Sequence, residues 1–322
     1  MSDKSARLTL LKSATKQAGA NSVLVTNFSH NANFFWLTNS KHGNAFYWDL
    51  KNKPVVIANP MEAGQCKSWM KVEVGHISDF VNKNVLAVDG SDISIRMKSD
   101  FFKQKLADIS KSLDDLRAVK SKYEVRCISK ACDLTKTVFE FAFSLDKNKT
   151  EREIFSFIRQ KIALMGLEEA FDPIVATGSN VRVPHHEALN VRNKGTFLID
   201  AGVKHNGYCS DVTRTTGSKF EALLEKSIGD VEDVLTAGVA CKELDQTARK
   251  SLGKYSKFFI TALGHGLGIN VHEFPRVSSK STDILKDGNV ITIEPGIYTN
   301  GGIRIENVYL VKRKGFKKLT EW

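Results

Sequence analysis

Leu198-Ile199-Asp200-Ala201-Gly202 is answered six residues on by Tyr208-Cys209-Ser210-Asp211-Val212-Thr213-Arg214-Thr215, with Asn206-Gly207 between them. Asn-Gly between apolar runs is the strongest short-range signal for a two-stranded hairpin, because both central positions of its tight turn need positive φ. A turn centred on Asn206 and Gly207 sets Asp200 opposite Thr213 and Asp211 opposite Gly202; a turn centred one residue earlier sets the two aspartates opposite each other. Side chains alternate along a strand, so either register puts both carboxylates on one face. Directly opposed Cβ atoms lie about 5 Å apart and diagonal ones about 7–8 Å. Two carboxylates that close, beside buried Ile199 and Val212, repel strongly unless cations lie between them.

Two further segments repeat the pattern of acids and histidines set in strand-like sequence. Gly264-His265-Gly266-Leu267-Gly268 is followed by His272-Glu273-Phe274-Pro275-Arg276, and the glycines beside His265 let backbone come close to whatever the imidazole binds. Thr292-Ile293-Glu294-Pro295-Gly296-Ile297-Tyr298 is followed by a turn and then Ile303-Arg304-Ile305-Glu306. With Asn300–Gly302 as a three-residue loop, Glu294 and Glu306 share a face. Asp200, Asp211, His265, Glu294 and Glu306 then make four carboxylates and one imidazole, with no thiolate. One catalytic zinc normally takes three protein ligands and a water, so this set is too large for it. It suits two metals about 3.5–4 Å apart, the arrangement of aminopeptidases and related hydrolases. Cys209 falls on the strand face of Asp211 and reads as small filler, since five harder ligands already serve the site.

Working outward, Thr150-Glu151-Arg152-Glu153 matches a capping box and opens a helix running to Met165, after a turn at Asp146–Lys149. Ahead of it, Asp115 to Ser144 carries a helical pattern without Gly or Pro, with core stripes at Val138, Phe139, Phe143 and, in the next helix, at Ile154, Phe155 and Ile158. Further helices are expected at Phe220–Ala237 and Cys241–Leu252. Helix pairs on antiparallel sheet make this an α+β domain over 116–322. Residues 1–115 read as a smaller α/β domain, with strands at Ser22–Thr26, Pro54–Ala58 and Asn84–Asp89 and helices at Met61–Met70 and Ser99–Ser110. That domain carries no phosphate loop, acid pair or metal spacing of its own.

Composition narrows the setting. The net charge of +11 is spread out: residues 1–116 hold 15 basic against 11 acidic residues, which leaves +7 of the total for the rest. Lys312, Arg313, Lys314, Lys317 and Lys318 read as a solvated surface, without the interleaved aromatics of a nucleic-acid platform. Five cysteines, an odd number with no C-x-x-C pair, argue against a disulfide framework and for a reducing compartment. The apolar run Leu8–Leu11 is too short for a signal-peptide core, and no stretch approaches ~18 uninterrupted apolar residues. A cytoplasmic protein with no membrane and no nucleic-acid partner is expected.

Asp200 and Asp211 eleven apart, SDVTRT at 210–215, GHGLG at 264–268 with His272 seven residues beyond His265, TIEPGIY at 292–298 and GIRIEN at 302–307 together resemble the pita-bread metallopeptidases. That family includes methionine aminopeptidase, aminopeptidase P, prolidase and creatinase. The likeness runs from about Leu116 to Val311, and residues 1–115 resemble the creatinase-type N-terminal domain. That domain and the HEFPR string at 272–276 favour the prolidase and aminopeptidase P branch. The resemblance implies two divalent ions per chain (Mn, Co, Zn or Fe), with Asp200 on one, His265 and Glu294 on the other, and Asp211 and Glu306 bridging. It implies that His185 and His272 flank the scissile peptide, that Glu294 relays a proton, and that Arg276 and Arg304 grip the substrate carboxylate. His185 is preferred to His186 because it follows Pro184; His186 and His205 are expected at the surface. Lys194-Gly195-Thr196 stands where the family usually has Gly-Asp, and the Pro184–Gly195 loop is short. The implied reaction is hydrolysis of the bond before proline in Xaa-Pro dipeptides, in a homodimer. The alternatives are release of the first residue from longer Xaa-Pro peptides, as by aminopeptidase P, and an inactive binding scaffold of the same fold.

Overall fold

A computed structural model describes residues 3–81, 84–102, 104–145, 148–192 and 195–322. Its Cα packing separates two units, Met1–Arg117 and Ala118–Trp322. The first is a six-stranded sheet of β1 (Ser22–Thr26), β2 (Ala45–Trp48), β3 (Val55–Ala58), β4 (Lys71–Val74), β5 (Leu86–Val88) and β6 (Leu106–Asp108), in the order β4-β3-β2-β1-β5-β6. Helices α1 (Asp3–Gln17), α2 (Ala32–Thr38), α3 (Ile77–Phe80), α4 (Ile95–Phe101) and α5 (Ser110–Ala118) accompany it. Leu24, Tyr47, Ile57, Leu86 and Val88 form its core.

Three helical expectations fail, through local capping and through strand pairing. Met61–Met70 keeps only a 3₁₀ turn at Ala63–Gln65: Gly64 interrupts it, Asn59 Oδ1 takes the Glu62 N–H at 2.9 Å, and the chain must reach β4 in time to pair parallel with β3. Ser99–Ser110 splits, because α4 starts earlier, on an N-cap where Ser94 accepts from Met97 N, while Leu106–Asp108 pairs parallel with Leu86–Val88. The Asp115–Ser144 pattern breaks at Val119–Ser121, where a second capping box intervenes. Ser121 N donates to Glu124 Oε2 at 2.8 Å and Glu124 N to Ser121 Oγ at 3.3 Å, opening α6 (Lys122–Ser144). Lys103, Asp146, Lys147, Asn193 and Lys194, on which parts of the expected helix, turn and loop fall, lie outside the described residues.

In the second unit the Thr150–Glu153 box opens α7 (Glu151–Leu164) as expected, with Thr150 N donating to Glu153 Oε2 at 2.7 Å. Helices α6 and α7 back a three-stranded sheet of β8 (Ile174–Thr177), β9 (Phe197–Ala201) and β12 (Val212–Thr216), in the order β12-β9-β8. Strands β7 (Glu168–Glu169), β10 (Val203–His205) and β11 (Tyr208–Cys209) form a small sheet at its end. Helices α8 (Glu221–Glu232) and α9 (Cys241–Leu252) pack on a five-stranded sheet. That sheet holds β13 (Gly264–Gly266), β14 (Glu273–Val277), β15 (Val290–Ile293), β18 (Asn307–Val311) and β19 (Phe316–Lys318); β16 (Gly296–Ile297) pairs with β17 (Ile303–Arg304). The stripes Val138, Phe139, Ile154 and Ile158 meet Val175, Ile199 and Val212 in one core; Leu224, Leu244, Ile291 and Tyr309 share the other. Each sheet therefore buries one face under helices and frees the other for polar side chains. No described helix is long and apolar enough to cross a membrane.

Candidate metal centre

The hairpin register decides where the aspartates stand. Asn206 and Gly207 have φ of 49° and 82°, the double positive φ of the tight turn, and Lys204 pairs with Cys209 around them. The ladder continues as Val212 with Ala201 and Thr213 with Asp200, the first of the two expected registers. Asp200 and Asp211 are thus diagonal neighbours on the face of β9 and β12 away from α6 and α7. Both are buried.

The other half supplies three groups. Ile293 pairs with Asn307 and Gly296 with Arg304, so positions 294 and 306 fall directly opposite each other. The turn sits one residue earlier than Asn300–Gly302, with Gly301 at φ 66°, and the shared face survives the shift. His265 occupies the middle of β13, where Cβ atoms on Gly264 and Gly266 would come within 2.1 Å of the Thr292 and Phe274 carbonyls. Only glycine allows strands that close. His265 Nδ1 bonds the Gly266 carbonyl at 3.1 Å, so Nδ1 carries a hydrogen and Nε2 is the ring nitrogen that faces the acids. Nε2 lies 3.3 Å from Glu294 Oε1 and 3.6 Å from Asp211 Oδ2. Asp211, His265 and Glu306 each offer a ligand atom within 4.8 Å of the others. The two halves are stitched together at this point: Glu306 N donates to the Thr213 carbonyl at 3.1 Å, and Thr215 Oγ1 to the Arg304 carbonyl at 2.7 Å.

The electrostatics ask for cations. Burial pushes Asp211 well above the usual carboxylate range, with Glu306, Asp200 and Glu294 adding like charge. Burial, then Glu294 and Asp200, do the same to Glu306. Asp200 is raised by burial too, although Arg304 opposes it. His265 is raised: burial works against its charge, but the hydrogen bond and charge of Glu294 outweigh it. Asp200 Oδ1 and Glu306 Oε1 are buried with no hydrogen-bond partner. Buried carboxylate oxygens without a donor are costly, and hard divalent cations satisfy such oxygens. The donor set therefore fits a metal centre, with His265 Nε2 as its one nitrogen.

Arg304 has a different environment from the substrate grip expected of it. Its guanidinium is buried and donates to Asp200 Oδ2 at 2.5 Å, Thr213 Oγ1 at 2.9 Å, the Pro184 carbonyl at 3.1 Å and Tyr298 OH at 3.3 Å. Four contacts inside the acid cluster leave it little with which to reach a ligand. Thr213, which the sequence reading passed over, links two of these groups by also donating to Glu306 Oε2 at 2.9 Å. Its place beside Asp211 in the SDVTRT string was the available signal. Arg276 is exposed and pairs with His265 across β13 and β14, so its side chain leaves the same face of the sheet. His272 is exposed, with its ring edge-on to His265 at 4.3 Å between centroids. Its pKa is lowered, first by partial burial and then by the His265, His185 and Arg276 charges, which Glu294 opposes.

His185 is exposed, and the carbonyl of Pro184 before it bonds Arg304. His186 departs from expectation: its ring is buried, with Nε2 2.8 Å from Glu151 Oε2. Glu273, next to His272, is held by a buried ion pair with Lys120 at 2.9 Å. Cys209 is buried, with Sγ donating to the Ile269 carbonyl at 3.2 Å.

With this geometry in place, likeness to known proteins is informative. A Xaa-Pro dipeptidase of Pyrococcus furiosus is 37% identical over 261 residues, which cover 74% of each chain. The solved structure of the prolidase from P. furiosus superposes with a TM-score of 0.87 at 28% identity, covering 96% of this chain and 98% of that one. An X-Pro aminopeptidase of Thermotoga maritima gives a TM-score of 0.87 at 26% identity over the same shares. The fold is thus the pita-bread fold of these enzymes. The profile of metallopeptidase family M24 matches residues 126–313, a span that includes Asp200, Asp211, His265, Glu294 and Glu306; the chain belongs to that family.

Proposed function

We propose that this metallopeptidase hydrolyses the bond preceding proline in Xaa-Pro dipeptides. The observation that carries the reading is the pair of orphaned, buried carboxylate oxygens, Asp200 Oδ1 and Glu306 Oε1, in a cluster where Asp211, His265 and Glu306 each offer a ligand atom within 4.8 Å of the others. Asp200, Asp211, His265, Glu294 and Glu306 would hold the metal. Ionised, the four carboxylates outweigh the one buried cation, Arg304, by three charges; one divalent ion leaves the cluster negative, and two leave a single positive charge for an anion in the cleft to offset. Divalent ions in such a site polarise a carbonyl and make a water acidic enough to attack at neutral pH.

The chain's own residues do the rest. His272, exposed beside His265 with its pKa lowered, is neutral near pH 7 and donates a hydrogen bond to the oxygen on which negative charge develops. His185, which follows the Pro184 carbonyl held by Arg304, steadies the same peptide group. Glu294, half-buried at the end of β15, is placed to take the attacking water's proton and hand it to the leaving proline nitrogen. Arg276, leaving the sheet beside His265, meets the substrate carboxylate. Arg304 serves as the counter-charge that holds Asp200 and the Pro184 carbonyl, not as a substrate grip. The creatinase-type assignment of 1–115, a cytoplasmic site and a homodimer belong to the same reading; the five cysteines are all free and buried, in keeping with a reducing compartment.

The structural likeness to an X-Pro aminopeptidase supports a second reading, in which longer Xaa-Pro-Yaa peptides are cut. Ala-Pro, Gly-Pro and Xaa-Pro-Yaa peptides assayed with added Mn²⁺ or Co²⁺ separate the two. Preference for the dipeptides supports the dipeptidase, equal or faster cleavage of the tripeptides supports the aminopeptidase, and no cleavage of any supports the binding scaffold.

A further inference from the structure

Glu151 is the first residue of α7, and its carboxylate is 1% exposed. Oε1 accepts from Thr177 N at 2.7 Å and Asn180 Nδ2 at 2.9 Å; Oε2 accepts from His186 Nε2 at 2.8 Å and Leu189 N at 3.0 Å. All four donors lie between 177 and 189, the segment that leaves β8 and carries His185. A buried carboxylate fully met by donors is a rigid anchor, since withdrawing any donor strands charge in a low dielectric. The segment is moored again at Pro184, whose carbonyl accepts from Arg304, the partner of Asp200.

His185 therefore stands between two fixed neighbours. Pro184 is tied to the acid cluster and His186 to Glu151, while the His185 side chain is free at the surface. Nothing in the reaction proposed above uses His186, whose ring is bonded to Glu151 at the start of α7. The residues beyond it are held through their own backbone groups: Glu151 N donates to the Val191 carbonyl, Arg152 N to the Leu189 carbonyl and Arg152 Nη2 to the Ala188 carbonyl, all at 3.0 Å. The His186 ring is thus the side-chain tether immediately beside His185.

From this arrangement we infer that His186, clamped by Glu151, is a positioning residue that fixes His185 over the bound peptide. The inference rests on the reading of His185 as a substrate-facing residue. A misplacement of about 1 Å can cost on the order of 10²-fold in rate, so loss of one of the two moorings is expected to lower kcat about tenfold, with KM nearly unchanged.

The test compares His185→Ala, His186→Ala, His186→Gln and the double alanine variant on the best Xaa-Pro substrate, with metal content and thermal unfolding measured for each. Gln can place a donor N–H near the position of Nε2 and should keep kcat within about threefold of wild type. His186→Ala should lower kcat roughly tenfold with full metal content, and should have no further effect once His185 is gone, because residues acting through one another are not additive. If the alanine variant does not fold, His186→Asn, one methylene too short to reach Glu151, takes its place. Equal fractional losses in both backgrounds, or wild-type kcat in His186→Ala, would overturn the positioning role alone. Wild-type kcat in His185→Ala would overturn the underlying reading of His185 and this inference with it.

Discussion

Thr213→Val isolates the part of the site that the metal-ligand pattern does not display. The replacement is nearly isosteric in a fully buried position, so it creates no cavity and removes only the hydroxyl. That hydroxyl donates to Glu306 Oε2 at 2.9 Å and accepts from Arg304 Nε at 2.9 Å. A hydrogen bond to a charged group contributes about 1.5–3 kcal/mol and a neutral one about 1 kcal/mol. In metal-free protein Glu306 is raised toward its neutral form, so its bond counts as neutral and that of Arg304 as charged. The expected loss is about 3 kcal/mol, read from urea unfolding after chelation. Loss of a partner that orients a metal ligand typically lowers affinity by about 10–100-fold, measurable by competition with a chromogenic chelator. Thr215→Val is the control. Thr215 shares the strand face, but it accepts from Arg304 N at 3.3 Å and donates to the Arg304 carbonyl, both backbone groups. It should cost about 1–2 kcal/mol and leave metal affinity within about twofold. Equal effects of the two valines on metal binding, or none from either, would refute the claim that Thr213 orients the ligand set.

Three other outcomes are expected. His272→Ala should keep its metal while kcat falls by roughly 10²–10³, the usual effect of losing one donor to developing negative charge; loss of metal would make His272 a ligand instead. Arg276→Ala should reduce kcat/KM for Ala-Pro by at least about 30-fold, since truncating one side of a charge-assisted pair costs about 2–5 kcal/mol. Amidating the substrate should then cost wild type a similar factor and the variant almost nothing. The third concerns pH. Asp211 is raised in the folded metal-free protein by burial and by Glu306, Asp200 and Glu294. The folded state therefore holds more protons than the unfolded one, and this stabilisation is present below the ordinary carboxylate range and lost as pH rises through the raised value. Chelated wild type should accordingly lose stability relative to Asp211→Asn as pH increases above about 4; a flat or rising difference would contradict the assigned burial.

Much of this was legible in the sequence, for reasons that can be named. Asn206-Gly207 places the turn to within one residue, and two-residue alternation sends Asp200 and Asp211 to one face in either register. Glu294 and Glu306 survived a misplaced turn because a shift of one residue in its centre preserves the face. Elements set by long-range pairing were harder to see. Leu106–Asp108 carries residues compatible with a helix and is a strand because Leu86–Val88 lies beside it. The break at Val119–Ser121 had a local signal, Ser121 with Glu124, that the unbroken apolar stripe concealed. Partner choice was least legible. Arg304 is expected on the substrate from the resemblance and His186 at the surface, yet Arg304 is consumed by Asp200, Thr213, Tyr298 and the Pro184 carbonyl, and His186 by a carboxylate 35 positions earlier. Such pairings depend on how two halves of the fold meet, which no local pattern records.

The central claim is that Asp200, Asp211, His265, Glu294 and Glu306 would together hold two divalent ions, so that loss of Asp211 or Glu306 would empty the site. Metal content per chain, determined by mass spectrometry on Mn-loaded wild type, Asp211→Ala and Glu306→Ala alongside turnover of Ala-Pro, tests it most directly. The account predicts two ions and turnover for wild type, and well under two ions with no turnover for either variant; two ions and undiminished turnover in the variants would contradict it.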